Sequence, residues 1–429
     1  MFLTFLPCII AFVLLFCGVP VGLALSSSAF IYFGFLTDTL PLTSVVQKMV
    51  QSSMSSSYIT IPMFLFMGSV MNHCGLTERL LGWCNALVGH HEGGLAQVNV
   101  LLSTVNGGIC GSSSADAAMQ CKILVPDMVK LGYPLAFSAA VTAASGLIAP
   151  VIPPGNTLIL YGTMTDTSIV RMFMAGYIPG ILMCIAEMII VRIICHKNHY
   201  QTSSQRASWK EIGRRTIDAF WSILAIVLLV VGLRGGLFNV TEGAVTISFL
   251  CLFIGLFIYR TIRIKDIPRM LVQTFLECNN VLFMLIGSLL FGYYLTWARI
   301  PQVISAGLLS LTSNKYVFIL LAMLIMLIMG MFMDCGAMLM IVTPIFFPIA
   351  QSYNIDLIQF GILEIVNGYI GSLTPPVGGV MYTVCNLLHL PIPDFFRAVW
   401  PFIVSLLVVL IIIALVPACT TWLPYLIYG

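Results

Sequence analysis

The sequence predicts an all-α membrane protein built as an inverted repeat, with two re-entrant hairpins and two broken helices. Three observations carry this fold class. First, 59% of the 429 residues are hydrophobic, only 8% are charged and the mean hydropathy is +1.03, whereas a soluble domain is about 25% charged. Second, apolar runs of about 20 residues recur, the length that crosses a bilayer as helix, and the short alternating segments of a membrane β-barrel are missing. Third, motifs in the two halves match in order. Gly68-Ser69 and Gly287-Ser288 are 219 residues apart, Asp116 and Asp334 are 218 apart, Pro126 and Pro344 are 218 apart, and Pro153-Pro154 and Pro375-Pro376 are 222 apart.

Full spans are expected near 2–17, 20–37, 59–84, 134–165 and 170–195, then near 217–234, 241–261, 275–298, 356–388 and 394–418. The pair 2–17 and 20–37 also reads as one long bent helix. Met1 to Thr37 carries no basic residue, so the N-terminus is expected to be a mature span rather than a signal peptide, which needs a positive start. The first repeat covers 1–200, a basic cytoplasmic linker 201–216, and the second repeat 217–429. Trp209 to Arg215 reads equally as a surface helix or a solvated loop.

Two apolar segments do not fit simple spans. Residues 95–126 are interrupted at Cys110-Gly111-Ser112-Ser113-Ser114, and 317–350 at Asp334-Cys335-Gly336. Polar, glycine-rich tips at membrane depth are tolerated where they line a protein or water cavity, so both are expected to be re-entrant hairpins. In the spans 134–165 and 356–388, Pro150, Pro153-Pro154 and Pro375-Pro376 remove helix hydrogen bonds. The freed carbonyls then suit a cation. Each half has five full spans and one hairpin. An odd number inverts the second half, so the hairpins enter from opposite faces.

The chemistry is expected at the tips and breaks. Serine hydroxyls and bare carbonyls are hard oxygen donors suited to sodium, and a helix restarting after a tip offers N–H groups to an anion. The substrate set is Ser114, Asp116, Asn156, Thr157 and Ser372, with Asp116 included because a carboxylate inside a membrane is a functional candidate. Helix packing by small residues explains the glycines and alanines but not the acids. Inverted symmetry places each tip beside the break of its own half, giving two pseudo-equivalent cation sites around one central substrate site.

Charge orients the chain. The segment from Arg192 to Arg215 holds Arg192, Lys197, Arg206, Lys210, Arg214 and Arg215, which the positive-inside rule places in the cytoplasm. Counting outward puts 14 of the 19 basic residues on that side. Lys48, Arg171, Arg234, Arg299 and Lys315 fall outside. Hairpin one then opens to the cytoplasm and hairpin two to the exterior, with both termini exterior.

The remaining features are bland. Most of the thirteen cysteines sit in apolar runs without a CxxC pair and read as small hydrophobes. His90-His91-Glu92 reads as a solvated loop rather than a transition-metal site. Glu187, Glu277 and Glu364 are weaker candidates for transport chemistry. No nucleophile–base set, phosphate-binding loop or nucleic-acid patch stands out. The chain is therefore not expected to be an enzyme, to bind nucleic acid, to use ATP directly or to carry an organic cofactor.

The run GICGSSSADAAMQCKILVPDMVKLGYPLAFSAAVTAASGLIAPVIPPGNTLILYG at 109–162 closely resembles the core of the large membrane subunit of TRAP (tripartite ATP-independent periplasmic) transporters. IPMFLFMGSVMNHCGLTERL at 61–80 and TPPVGG at 374–379 fit the same family, and the resemblance extends over nearly the whole chain. It implies a secondary transporter of the ion-transporter superfamily fold in the bacterial inner membrane. It also implies an elevator movement and sodium-driven import of an organic acid, of the sialic-acid or C4-dicarboxylate class. The implied partners are a periplasmic substrate-binding protein and a small four-helix membrane subunit. The implied sodium ligands are Ser112, Ser113 and Pro150 in the first half, and Gly330, Asp334, Gly371 and Thr374 in the second. Cys110 stands where serine is more usual, and Asn156 replaces an apolar or small residue. The Pro-Pro-Gly form of the break is closer to the sialic-acid branch. Rival expectations are a stand-alone carrier of the same superfamily, an ion channel, or a non-transporting scaffold subunit.

Overall fold

The computed structural model describes residues 2–37, 41–54, 56–198, 200, 206–311 and 314–428, and no strand occurs among them. The first half begins with α1 (Phe2–Phe16) and α2 (Val21–Ile31), the latter running on through a π-helical turn. They are separate helices, parted at Gly18, whose φ of +81° suits a residue without a Cβ. Next come α3 (Leu42–Ser53), α4 (Thr60–His73) and α5 (Leu76–Val88). The expected single span 59–84 is therefore two helices, broken at Gly75 with φ +76°. A Cβ there would lie 2.8 Å from Thr261 Cγ2, so glycine lets the chain turn against the 259–263 segment.

Then follow α6 (Gly94–Cys110), α7 (Ser113–Ile123), α8 (Val125–Lys130), α9 (Leu135–Gly146), α10 (Asn156–Thr165) and α11 (Ile169–Lys197). On α11, Ile181, Ile185, Ile189 and Ile193 are half-exposed at four-residue spacing, while Met183, Glu187 and Val191 are buried. This is an apolar stripe facing outward, as lipid contact requires.

The second half starts with α12 (Trp209–Asp218) and α13 (Phe220–Arg234), which meet at 65°. The basic stretch is thus a helix, capped by the Ser208 hydroxyl accepting from Glu211 N–H. Residues 201–205 of the expected linker lie outside the described residues. After it come α14 (Val240–Phe253), α15 (Ile267–Trp297), α16 (Ile300–Leu311), α17 (Lys315–Phe332) and α18 (Cys335–Ser352). The chain closes with α19 (Leu357–Gly371), α20 (Gly379–Leu388), α21 (Ile392–Leu415) and α22 (Ala418–Tyr428). An Asn239–Glu242 capping box starts α14, and Asp356 caps α19 through Ile358 and Gln359 N–H.

Among the described residues six helices are long and apolar enough to cross a membrane uninterrupted, or up to seven if α12 and α13 count as one bent span. Ten full spans were expected, two of them broken, and the arms of the second hairpin were not counted among them although α17 and α18 are two of the six. The difference lies in pieces that are individually too short: α1 and α2, α4 and α5, and the halves of the broken helices.

Two antiparallel hairpins stand at the centre. In the first, Asn106 and Ser103 of α6 face Asp116 and Gln120 of α7. In the second, α17 packs on α18 across Asp334. Their second arms pack in the same pattern: α7 lies on α9 and on α20, and α18 lies on α19 and on α10. Each hairpin therefore touches the first half of its own broken helix and the second half of the other repeat's. The inner helices α7 and α18 begin 222 residues apart, at Ser113 and Cys335, the spacing of the two Pro-Pro pairs. Both Pro-Pro peptide bonds are cis.

Candidate functional site at the hairpin tips

At the first tip α6 ends on Gly111, with φ +58°, and Ser112 caps α7. A Cβ on Gly111 would stand 2.9 Å from the Pro154 carbonyl oxygen. The Asn156 N–H reaches the Gly111 carbonyl at 3.5 Å, a long contact that joins tip to break. Inside the break the Pro150 carbonyl lies against Gly155 so closely that no Cβ would fit there. Gly176 of α11 in turn lets the Val151 carbonyl approach. Ser113 sits beside Gly146, whose added Cβ would meet the Ser113 carbonyl at 3.0 Å.

The second tip repeats this. Val377 and Gly378 N–H groups donate to the Met331 carbonyl at 3.1 and 2.9 Å. Gly330 and Gly371 pack backbone to backbone, and a Cβ on Gly371 would lie 2.7 Å from Gly330 Cα. Thr374 Oγ1 donates to the Gly371 carbonyl at 2.7 Å, and Ser372 Oγ donates to the Tyr369 carbonyl at 2.6 Å. Asp334 caps α18, its Oδ2 accepting from Gly336 N–H at 2.9 Å. Each tip is thus held to its own break, at a junction rich in carbonyl, hydroxyl and carboxylate oxygens where glycines leave the backbone bare. Oxygen donors of this kind suit a hard cation rather than a soft metal.

Between the junctions lies a cavity of about 220 Å³. Ser112, Ser113 and Ser114 line it from the start of α7, Asn156 and Thr157 from the start of α10, and Asp334 and Gly336 from the start of α18. The apolar wall comes from Ile61, Leu65, Val281, Met284 and Met340. Three helix N-termini therefore converge on one space; the Asp334 carboxylate already caps that of α18, and the first turns and dipoles of α7 and α10 favour a negative guest. The tyrosine Tyr369 completes the wall and donates its hydroxyl to Thr157 Oγ1 at 3.3 Å.

The structure brings Ser112, Ser113, Ser114, Asn156, Thr157 and Asp334 to the cavity wall. Pro150, Gly330, Gly371, Thr374 and Ser372 sit behind it at the junctions. Asp116 departs from expectation. It is wholly buried in hairpin one, accepting from Ser103 Oγ at 2.6 Å, Asn106 Nδ2 at 2.6 Å and Gln120 Nε2 at 2.7 Å. Its carboxylate ties the hairpin arms together and does not line the cavity. Tyr369 was not singled out in the sequence because it lies in an apolar run; its only signal is a hydroxyl two residues before the glycine of the break.

A second recess, lined by Ser69, Asn72, His73, Gln273, Glu277 and Asn280 among others, shares Leu65, Ser112, Asn156 and Val281 with the cavity. It lies toward Gly75 and Arg79, on the side where the basic residues gather. Glu277 is exposed there and accepts from Gln273 at 3.3 Å. Glu364 is buried behind the second junction and accepts from Thr343 Oγ1 at 2.7 Å, while Glu187 is buried on α11, away from both junctions. At the surface Glu92 faces His196 at 3.1 Å and Arg192 at 3.7 Å, and no group of three potential metal-ligating side chains occurs among the described residues.

The chain is 35% identical over 416 residues to the sialic acid TRAP transporter large permease protein SiaM of Vibrio cholerae, covering 97% of each chain. It is 34% identical over 381 residues to the C4-dicarboxylate TRAP transporter large permease protein DctM of Pseudomonas aeruginosa, covering 89% of each. To the 2,3-diketo-L-gulonate TRAP transporter large permease protein YiaN of Escherichia coli it is 30% identical, covering 97% of each. Its fold resembles the crystal structure of the Alcanivorax borkumensis YdaH transporter, with a TM-score of 0.62 at 14% identity, over 97% of this chain and 98% of that one. The profile of the family described as "Tripartite ATP-independent periplasmic transporter, DctM component" matches residues 8–419, and the chain belongs to that family.

Proposed function

We propose that this chain is the large membrane subunit of a sodium-coupled importer of an organic acid, of the sialic-acid or C4-dicarboxylate class carried by its relatives. A periplasmic binding protein delivers the substrate, and a small membrane subunit braces the large one in the inner membrane. The observation that carries this reading is the convergence of three helix N-termini, with Ser114, Asn156 and Thr157, on one cavity of about 220 Å³. A carboxylate placed there meets N–H groups and hydroxyls in a water-poor space, where such contacts are strongest. Sodium, as co-transported cargo, suits the two tip–break junctions: Ser112, Ser113 and Pro150 at one, and Gly330, Asp334, Gly371 and Thr374 at the other.

The shared recess toward the basic side corresponds to an inward-open state, with both termini periplasmic. An elevator shift of the hairpins and broken helices against α4, α14 and α15 would carry the cavity to the other face. The test is reconstitution of this chain with its small subunit and binding protein in proteoliposomes. Uptake of a labelled sialic acid or C4-dicarboxylate should require all three components and an inward sodium gradient. Sodium-independent, non-saturating flux would replace this reading with a channel. Full uptake by the chain alone would replace it with a stand-alone carrier.

A further inference from the structure

Away from the hairpins, a polar recess of about 540 Å³ opens where α5, α12 and the turn after α14 meet. Its charged lining is Glu78, Arg79, Arg215 and Asp218, with Trp221 and Tyr259 beside them. The frame is built. Trp83 Nε1 donates to Thr216 Oγ1 at 3.1 Å, and Tyr259 Oη donates to the Asp218 carbonyl at 3.3 Å, so α12 is pinned to both neighbours. The Arg79 guanidinium stands 3.6 Å over the Tyr259 ring, and Arg215 lies over Gly82, where an added Cβ would come 3.4 Å from its Nη1.

The charges themselves are left over. Ion pairs among the described residues are confined to Lys130–Asp127, Arg192–Glu92 and His196–Glu92. Two guanidiniums and two carboxylates therefore face one recess without pairing. The recess also lies at a membrane edge. Helix α12 turns 65° away from α13, Trp209 and Ile217 expose apolar surface among its basic residues, and Phe220 does so at the start of α13. Such a helix lies in the interface plane, and tryptophan and tyrosine belong at that level.

We infer that this recess binds the headgroup of a zwitterionic phospholipid carrying a primary amine, a phosphoethanolamine. Its phosphate bridges Arg79 and Arg215, and its ammonium faces Glu78 and Asp218. The formal charge of the lining is zero, so a net-anionic headgroup places surplus negative charge beside two carboxylates. A choline headgroup brings the right charges but has no N–H to donate to them. The acyl chains then run along the exposed apolar side of α12 and α13. The lipid would join α5, α12 and the end of α14 in the plane of the bilayer.

The test uses the full chain, delipidated in detergent, with thermal stability read against added lipid. Phosphatidylethanolamine should raise Tm with a half-saturation roughly tenfold lower than phosphatidylcholine or phosphatidylglycerol, one charge-assisted contact's worth. Glycerophosphoethanolamine, which lacks acyl chains, should stabilise only weakly, and inorganic phosphate not at all. Glu78→Gln should erase the preference for ethanolamine over choline, and Arg215→Gln should weaken both. Both side chains are exposed, and an unchanged Tm without lipid certifies that the variants fold. Equal responses to ethanolamine and choline lipids, a preference for phosphatidylglycerol, no response to any lipid, or a preference that survives in Glu78→Gln would each overturn the assignment.

Discussion

Tyr369 donates its hydroxyl to Thr157 Oγ1 at 3.3 Å and so links the broken helices of the two repeats across the central cavity. Removing either partner is not equivalent. Tyr369→Phe deletes the donor and leaves a threonine hydroxyl that turns elsewhere, a loss of about 1 kcal/mol. Thr157→Val leaves the buried tyrosine O–H facing the Cys335 thiol, a weak acceptor, at a cost of about 1–3 kcal/mol. The expected order of damage to stability and to substrate half-saturation is therefore Thr157→Val worse than Tyr369→Phe, with the double variant close to Tyr369→Phe alone. A double-mutant cycle on Tm and uptake measures this, and a milder Thr157→Val would show that the link is not made.

Asp116 and Asp334 are a near-match in sequence with different work to do. Asp334 caps α18 on the cavity, whereas Asp116 lies four residues past the cap Ser112 and faces α6. Asp116→Asn puts an amide against donors from Ser103, Asn106 and Gln120, so it should destabilise the protein by about 1–3 kcal/mol. The sodium half-saturation of the surviving transport should be unchanged. Asp334→Asn and Ser113→Ala should do the reverse, weakening sodium activation with a smaller loss of Tm. Sodium titrations of uptake, beside thermal unfolding in the same preparation, separate the two outcomes.

The same pair shows how far the sequence could be read. Tips and breaks were legible because serine, glycine and proline clusters interrupt otherwise apolar runs, and such local chemistry is independent of tertiary context. The register was not. A search for like residues pairs Asp116 with Asp334, while the helices themselves pair Ser112 with Asp334 at the spacing of the Pro-Pro pairs, and a four-residue slip moves a side chain one turn along the helix, from the cavity rim into the hairpin interior. The break at Gly75 was hidden because apolar sequence continues on both sides and one glycine is tolerated in a helix. Tyr369 was hidden for a related reason: its partner lies 212 residues away, and nothing in the local pattern announces it.

The tip–break junctions depend on missing side chains. Gly371→Ala sets a methyl group 2.7 Å from Gly330 backbone atoms, and Gly330→Ala sets one 2.8 Å from the Gly368 carbonyl. Neither backbone gives way cheaply, so overpacking of about 1–3 kcal/mol is expected at each. Uptake should fall at least tenfold in both while membrane insertion persists. Gly213→Ala in α12, where an added Cβ meets nothing within 4 Å, is the control. It should match the parent in uptake and equal or exceed it in Tm. Normal uptake in Gly371→Ala would mean that the second junction opens widely during transport.

The proposed sodium sites at the two junctions predict the sign of a voltage effect. With one sodium ion at each junction and a monoanionic substrate between them, each cycle carries one net positive charge inward. An inside-negative potential then contributes about 2.3 kcal/mol per 100 mV for that charge. Uptake of a monoanion into proteoliposomes should rise when valinomycin imposes an inside-negative potassium potential, and fall when the gradient is reversed. For a dianionic C4-dicarboxylate the same two ions give an electroneutral cycle, and the response should vanish. Comparing both substrate charges in one preparation counts the ions directly. Equal voltage response for monoanion and dianion would be incompatible with two fixed sodium sites.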